Sequence, residues 1–305
     1  NCGGGSFTPG SQSPNGICTF NTPGAYWLML QGQDNAGNVD ILSTYVVATP
    51  PAGGGAGNFS ADAGDAGRPR LYGRRQGRKL RPHRQGLIET RLPEARLALE
   101  PPGTIDPARL FPFTPRAIRL EVGFGAGEHL AHQAKNNPDV GFIGCEPFVN
   151  GVAALLARVA ADNLANVRVL DDDARLLFGR FPDASFERVT VLFPDPWPKT
   201  RHHRRRFIQT ESLDEIARML IDGGELRFAT DHKEYARWTL ALALRHPAFA
   251  WKAQGPRAWR VRPADSIQTR YEEKALKRGE TCVYLAFQRV PRGAGGLSGP
   301  PSGGI

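Results

Sequence analysis

Leu120–Leu130 reads LEVGFGAGEHL. An apolar strand that begins near Ile118 runs into Gly123, Gly125 and Gly127, and a helix opens at Glu128. Glycines at this spacing let the backbone turn tightly and approach a ligand closely, although a purely structural glycine turn has the same look. The alternation continues outward from this loop. Glu128–Asn136 predicts a short helix stopped by Asn137-Pro138, and Gly141–Cys145 a strand that ends at Glu146. Val149–Asp162 predicts a helix with apolar residues at i, i+3 and i+4, and Val167–Leu170 a third strand that ends in Asp171-Asp172-Asp173. Arg188–Phe193 and Glu225–Thr230 predict the fourth and fifth strands. Between them lie a helix over roughly Arg206–Leu220 and punctuation at Gly223-Gly224. Asp231–Arg245 predicts a helix capped by Asp231, and Phe249–Ala253 and Thr281–Gln288 two last strands. The pattern predicts an α/β fold: a doubly wound, mostly parallel seven-stranded sheet of Rossmann-like class, helices on both faces, and a partly antiparallel edge.

The glycine loop alone does not choose its ligand, because dinucleotide and S-adenosylmethionine (AdoMet) sites share such loops. Here the spacing is GxGxG, and no Arg or Lys stands ready for a pyrophosphate. Glu121, inside the strand, fits poorly with a pyrophosphate and suits a cationic ligand such as the ammonium or sulfonium of AdoMet. Glu146 ends the second strand, where an acid can take both ribose hydroxyls; the alternative is a helix cap. Asp173 ends the third strand within reach of an adenine amine, and can also cap Ala174–Phe178. Gly123, Gly125, Glu121, Glu146 and Asp173 are therefore the candidate cofactor ligands.

A second decisive stretch is Val191–Arg206, VLFPDPWPKTRHHRRR. An apolar strand breaks into a loop where Pro194, Pro196 and Pro198 stiffen the backbone around Asp195 and Trp197. Lys199, Arg201, Arg204, Arg205 and Arg206 follow, with His202 and His203 among them. A carboxylate and an indole beside fixed cations suit a planar target on a phosphate chain. Trp197 can stack on such a base or pack as a rim residue over the sheet's end. The cations can hold phosphates or form a solvated helix start, which the helix dipole disfavours.

The charge agrees. The chain has 305 residues and a net charge of +9. Residues 1–67 hold four acids and no Lys or Arg, so the remaining 39 basic and 26 acidic residues leave +13. A basic body implies an acidic partner such as nucleic acid. Arg68–Arg84 has eight basic residues in seventeen, with Tyr72 interleaved, and reads as a solvated tail or as an arm along a phosphate backbone. No apolar run approaches about 18 residues, and no signal-peptide pattern opens the chain, so no membrane partner is expected. Cys145 and Cys282 sit in apolar runs without metal-ligand spacing, which predicts core thiols, no metal and a cytoplasmic setting.

Residues 1–50 read as foreign to the rest: Gly-, Ser- and Asn-rich, with alternating runs at Ala25–Leu30 and Ser43–Val47 and a turn at Asp34–Gly37. GAYWLMLQGQDNAGNVD resembles the last hairpin of bacterial immunoglobulin-like surface modules. Cys2 and Cys18 could pair in a secreted setting. The segment is expected to be a gene-model fusion or an appended module. The organisation expected is this β-like piece, a Gly/Ala linker at 51–67, a basic arm at 68–117, a catalytic domain at 118–291 and a disordered tail at 292–305.

LEVGFGAGEHL, GCEPF, DDDA, LFPDPWPKTRHHRRR, FATDHKEYA and TRYEEK, in this order, resemble the bacterial tRNA (guanine-N7)-methyltransferases from about Arg68 to Val290. The resemblance implies a class I methyltransferase fold and methyl transfer from AdoMet to guanosine 46 in the variable loop of tRNA, by a monomer or homodimer. By position it implies Glu121, Glu146, Asp173 and Asp195 as AdoMet ligands and Asp195 as the active-site aspartate. It implies substrate contacts at Lys199, Asp231, Thr269, Arg270, Tyr271 and Glu272. Residues 1–67 have no counterpart. The competing readings are a methyltransferase of another RNA or a small molecule, and a non-catalytic RNA-binding protein.

Overall fold

The computed structural model describes residues 71–100 and 103–293, and the backbone of four strands between residues 6 and 48. Those strands form two antiparallel pairs: β1 (Ser6–Thr8) with β2 (Ile17–Thr19), and β3 (Gly24–Gln33) with β4 (Val39–Ala48). The two runs expected to alternate fall within β3 and β4. The turn at Asp34–Gly37, the cysteine side chains of this segment, the linker and nearly all of the tail lie outside the described residues.

Seven strands form one sheet: β5 (Ala117–Val122), β6 (Val140–Cys145), β7 (Val167–Leu170), β8 (Phe186–Leu192), β9 (Leu220–Thr230), β10 (Phe249–Trp251) and β11 (Val283–Arg289). The spatial order is β10-β11-β9-β8-β5-β6-β7; β11 alone runs against the rest, antiparallel to both β9 and the edge strand β10, and the other pairs are parallel. The predicted doubly wound sheet with its antiparallel edge is what forms.

Period-two alternation sends side chains to two cores. From β6, Ile143 and Cys145 join Leu120, Val189 and Val191 on one face, against Leu213 and Ile216 of α5 (Thr210–Met219) and Tyr235 and Leu240 of α6 (Lys233–Arg245). Val140 and Phe142 join Val167 and Val169 on the other face, against Leu130 of α3 (Glu128–Asn136) and Leu155 of α4 (Val149–Ala161). Both expected core thiols, Cys145 and Cys282, are buried. Among the described residues no helix is long and apolar enough to cross a membrane.

Before the sheet, α1 (Pro82–Thr90) and α2 (Leu92–Ala95) lead to Leu97, whose N–H donates to Val169 O at 2.8 Å. Upstream of α1, residues 71–79 cross the carboxyl end of the sheet. Val149 N–H donates to Arg75 O (2.9 Å), and the Asn150 side chain accepts from Gly77 N–H (2.9 Å) and donates to Arg78 O (2.7 Å).

Three expectations need correction. The helix expected from Arg206 begins at Thr210, where the side chains of Gln209 and Ser212 form a reciprocal cap. The cations instead lie on and beside a 3-10 helix over Thr200–Arg205, with Arg204 and Arg205 in its last turn and Arg206 at its C-cap, where the helix dipole favours positive charge. The fifth strand starts at Leu220, not after the glycines, because a register shift lets Gly223 (φ +79°) and Gly224 pass within the strand. Helix α6 is capped by His232, whose Nδ1 accepts from Tyr235 N–H, and not by Asp231. Asp231 is drawn away by Arg278, at 2.9 Å.

Candidate active site

The neighbours of β5 depart in opposite directions, β6 to one side and β8 to the other. Ligands bind at the carboxyl ends of strands at such a switch point. A cleft of about 490 Å³ opens there. Gly123, Gly125, Glu146, Asp173 and Asp195 all line it, so residues spread over 73 positions of sequence meet at one place.

The glycine loop has left-handed backbone at each of its three glycines, with φ +70° at Gly123, +57° at Gly125 and +71° at Gly127. A Cβ on Gly127 would fall 2.6 Å from Leu155 Cδ1, so the loop rests directly on α4. Glu146 braces it from the next strand. Its Oε2 accepts from Gly125 N–H (2.8 Å) and its Oε1 from Phe148 N–H (2.9 Å). Burial raises the Glu146 pKa, the two N–H donors pull it down, and Asp195 nearby raises it; the net direction is up. Asp195 is open to solvent within the cleft, yet the flanking walls strip enough hydration to raise its pKa as well.

Asp173 caps the 3-10 turn Ala174–Leu177 and is engaged by Arg175, with Nη2 2.6 Å from Oδ2. The cap expected of this residue forms, and the same residue lines the cleft. Glu121 is not on the cleft surface. It is buried beneath the loop, its Oε2 2.7 Å from Nδ1 of His129.

After β8 the PDPW loop turns under strain. Phe193 (φ +49°) and Trp197 (φ +43°) take left-handed conformations that cost on the order of 1–3 kcal/mol each. Trp197 meets Tyr72 edge-to-face at 6.2 Å, and the Arg205 guanidinium lies 4.9 Å from both rings. Trp197 is therefore part of the cleft wall, shared with the segment 71–79. The cationic run divides: Lys199, Arg201 and Arg204 are exposed, whereas Arg206 is 2% exposed. Its expected part in holding phosphates is corrected, because a side chain buried under Pro196 and Trp197 does not reach one.

Of the four residues TRYE, only Tyr271 reaches the cleft, where its ring lies over Gly125. Thr269 caps α8 (Arg270–Lys277), and Arg270 pairs with Glu128 at 2.6 Å. Glu272 is buried, accepting from Tyr284 O–H (2.6 Å) and Arg262 (3.1 Å), beside a separate cavity of about 40 Å³ that Thr269 also lines. Lys199 and Asp231 stand outside both cavities.

Residues 115–285 match a family described as putative methyltransferase. The chain is 49% identical over 239 residues to the tRNA (guanine-N(7)-)-methyltransferase of Rhodospirillum rubrum, covering 77% of this chain and 94% of that protein. It is 50% identical over 238 residues to the protein of the same name from Paramagnetospirillum magneticum, covering 77% and 97%. This chain belongs to the tRNA (guanine-N7)-methyltransferase family. Among solved structures, an aminoglycoside resistance methyltransferase aligns with 58% of this chain and 89% of its own at 21% identity and a TM-score of 0.39, and nothing further rests on that likeness.

Several cleft residues of this methyltransferase family member escape a reading of the sequence. Leu71–Arg74 form one wall, and Phe148 and Arg175 add to others. Tyr72 stands out among the arginines, but no spacing shows that it meets Trp197 across 125 positions. His129 beneath the loop carries no signal either, since a lone histidine after a glycine turn has no pattern to match.

Proposed function

We propose that this chain transfers a methyl group from AdoMet to N7 of a guanine in tRNA, at position 46 in the variable loop. One observation carries the reading: the glycine loop, Glu146, Asp173 and Asp195 share a single cleft in a chain 49% identical to a tRNA (guanine-N(7)-)-methyltransferase. When bound, AdoMet supplies a methyl group made electrophilic by its sulfonium.

The donor set fits that cofactor. A carboxylate has about four acceptor sites. Backbone N–H groups occupy two on Glu146, one on each oxygen, which leaves one per oxygen for two ribose hydroxyls. Asp173 is more heavily committed: Oδ1 accepts from the Arg175 N–H and Nε, and Oδ2 from Nε (3.2 Å) and Nη2 (2.6 Å), so an adenine amine would take the place of the long Nε contact on Oδ2. Glu121 acts from below the loop as a buried acidic group bound to His129, without touching the cleft.

Guanine N7 carries a free in-plane lone pair, so the chain needs no strong base and the reaction calls for no metal. It needs alignment, which removes on the order of 7–11 kcal/mol at the favourable limit. It also needs to stabilise the positive ring that results. Asp195 accepts from guanine N1–H or the 2-amino group and offsets that charge. Trp197 and Tyr271 flank the place where a planar base enters. Lys199, Arg201 and Arg204, exposed beside them, hold phosphates. Thr269, Arg270 and Glu272 act one layer back, setting α8 and with it Tyr271. The reading places the enzyme in the cytoplasm with tRNA, as a monomer or homodimer.

The test is methyl transfer from labelled AdoMet to unmodified tRNA, beside the same tRNA with adenosine at position 46. Incorporation into the first alone, mapped to N7 by borohydride–aniline cleavage, is the expected result. Incorporation into both retains the reaction and removes the position. None into either overturns the reading.

A further inference from the structure

Arg206 ends a run of cations yet has no part of its guanidinium in solvent. Its side chain is 0% exposed, and each of its three guanidinium nitrogens has a hydrogen-bond partner. Nε donates to Pro196 O at 2.8 Å, and Nη2 reaches Trp197 O at 3.5 Å. Nη1 donates to Glu234 Oε1 at 3.1 Å, and Nη2 also donates to Glu234 Oε2. The guanidinium lies 4.8 Å from the Tyr235 ring and 5.1 Å from the Trp238 ring. Glu234, Tyr235 and Trp238 all belong to α6, which packs on the sheet.

The other end of this clamp is the loop that carries Asp195. Pro196 and Trp197 are the two residues after it, and Trp197 holds the left-handed backbone that a bulky residue does not adopt unaided. Something must hold that conformation, and the carbonyls on both sides of the strained residue's N–H end on one guanidinium. We propose that Arg206 is a positioning residue for Asp195: it ties the PDPW backbone to α6 and so fixes where the Asp195 carboxylate stands in the cleft. The planar fork serves two carbonyls and a carboxylate at once while stacked on aromatic rings, which a lysine ammonium cannot do. This rests on the function proposed above, with Asp195 as the group that meets the base.

The test uses the full chain with Arg206→Lys, reading kcat, the KM for tRNA, AdoMet affinity by calorimetry and the salt dependence of tRNA binding. A displaced carboxylate lowers kcat by roughly a hundredfold. AdoMet affinity falls far less than kcat, since Arg206 lines no part of the cleft and the loop glycines, Glu146 and Asp173 keep their places. The slope of log K against log salt stays that of the unsubstituted chain. A phosphate contact behaves otherwise: its loss lowers that slope by roughly 1, with binding weakened. Unchanged kcat, or a slope reduced in that way, overturns the proposal. If Arg206→Lys no longer binds AdoMet, Glu234→Gln decides. It keeps the carbonyl bonds but loosens their anchor, and kcat falls about tenfold with AdoMet binding intact. Normal kcat in Glu234→Gln, or loss of AdoMet binding there too, overturns the proposal, the latter because Arg206 would then be a strut of the whole fold. Absence of tRNA methylation by the unsubstituted chain refutes the proposed function instead.

Discussion

Glu146→Gln separates what holds the cofactor from what holds the fold. In the free protein both carboxylate oxygens accept a backbone N–H, from Gly125 at 2.8 Å and Phe148 at 2.9 Å. A glutamine keeps one of these bonds and turns an NH2 toward the other donor. It also loses one of the two acceptor sites left for ribose hydroxyls. A hydrogen bond to a charged group contributes about 1.5–3 kcal/mol. At about 1.4 kcal/mol per decade, AdoMet binding weakens roughly ten- to hundredfold. Stability behaves differently. Burial already raises the Glu146 pKa, so ionised Glu146 is costly in the free protein, and the neutral amide removes that cost while losing one backbone bond. The two changes oppose one another, and Tm moves by no more than about 4 °C. A pH series supplies the sign. With its folded pKa above the unfolded one, Glu146 stabilises the free protein most in acid, and this contribution is gone once pH has risen past the folded pKa. AdoMet needs the ionised form, so its affinity rises with pH through the same range, and Glu146→Gln flattens that rise. Calorimetry across pH, beside thermal melts, reads all of this. An unchanged Kd, or a Kd loss matched by a collapse in Tm, refutes the reasoning.

Asp195→Asn lowers kcat by roughly a hundred- to a thousandfold while AdoMet affinity changes far less, as steady-state kinetics and calorimetry will show. Because burial raises its pKa in the free protein, the acidic limb of the kcat/KM profile is displaced upward from that of an ordinary aspartate, and activity falls as pH drops through it. Gly151→Ala places a Cβ 2.2 Å from Gly125 O and 3.2 Å from Glu146 Cγ. Backbone must move at the glycine loop, at a cost of about 1–3 kcal/mol, so melts show a lower Tm and calorimetry weaker AdoMet binding. An AdoMet Kd unchanged in Gly151→Ala contradicts the close packing of α4 on that loop.

Much of the site was legible because its chemistry is attached to strand ends. A strand announces itself by an apolar run, and the residue after that run is placed by the sheet. Glu146, Asp173, Gly123, Gly125 and Asp195 are placed in this way, and all line one cleft. Where an element's start depends on which of several polar side chains caps it, the reading erred by a few residues. Asp231 and His232 are both plausible caps, and the choice fell to Arg278, 47 positions later, which takes the Asp231 carboxylate. The start of α5 was misplaced by four residues because Gln209, an unremarkable side chain, forms the cap with Ser212.

From the sequence alone came the sheet, the winding of helices on both its faces and the identity of the carboxylates, since hydrophobic period and strand-end position are local properties of the chain. Only the tertiary structure decided which charges face solvent and which are buried in the architecture. Arg204, Arg205 and Arg206 are three identical letters in a row. The first is exposed, the second lies against the rings of both Tyr72 and Trp197, and the third is buried on α6 beneath the loop that carries Asp195. A guanidinium has the same charge in every setting, but its role depends on how much water and how many acceptors surround it. Those are set by residues far away in the chain.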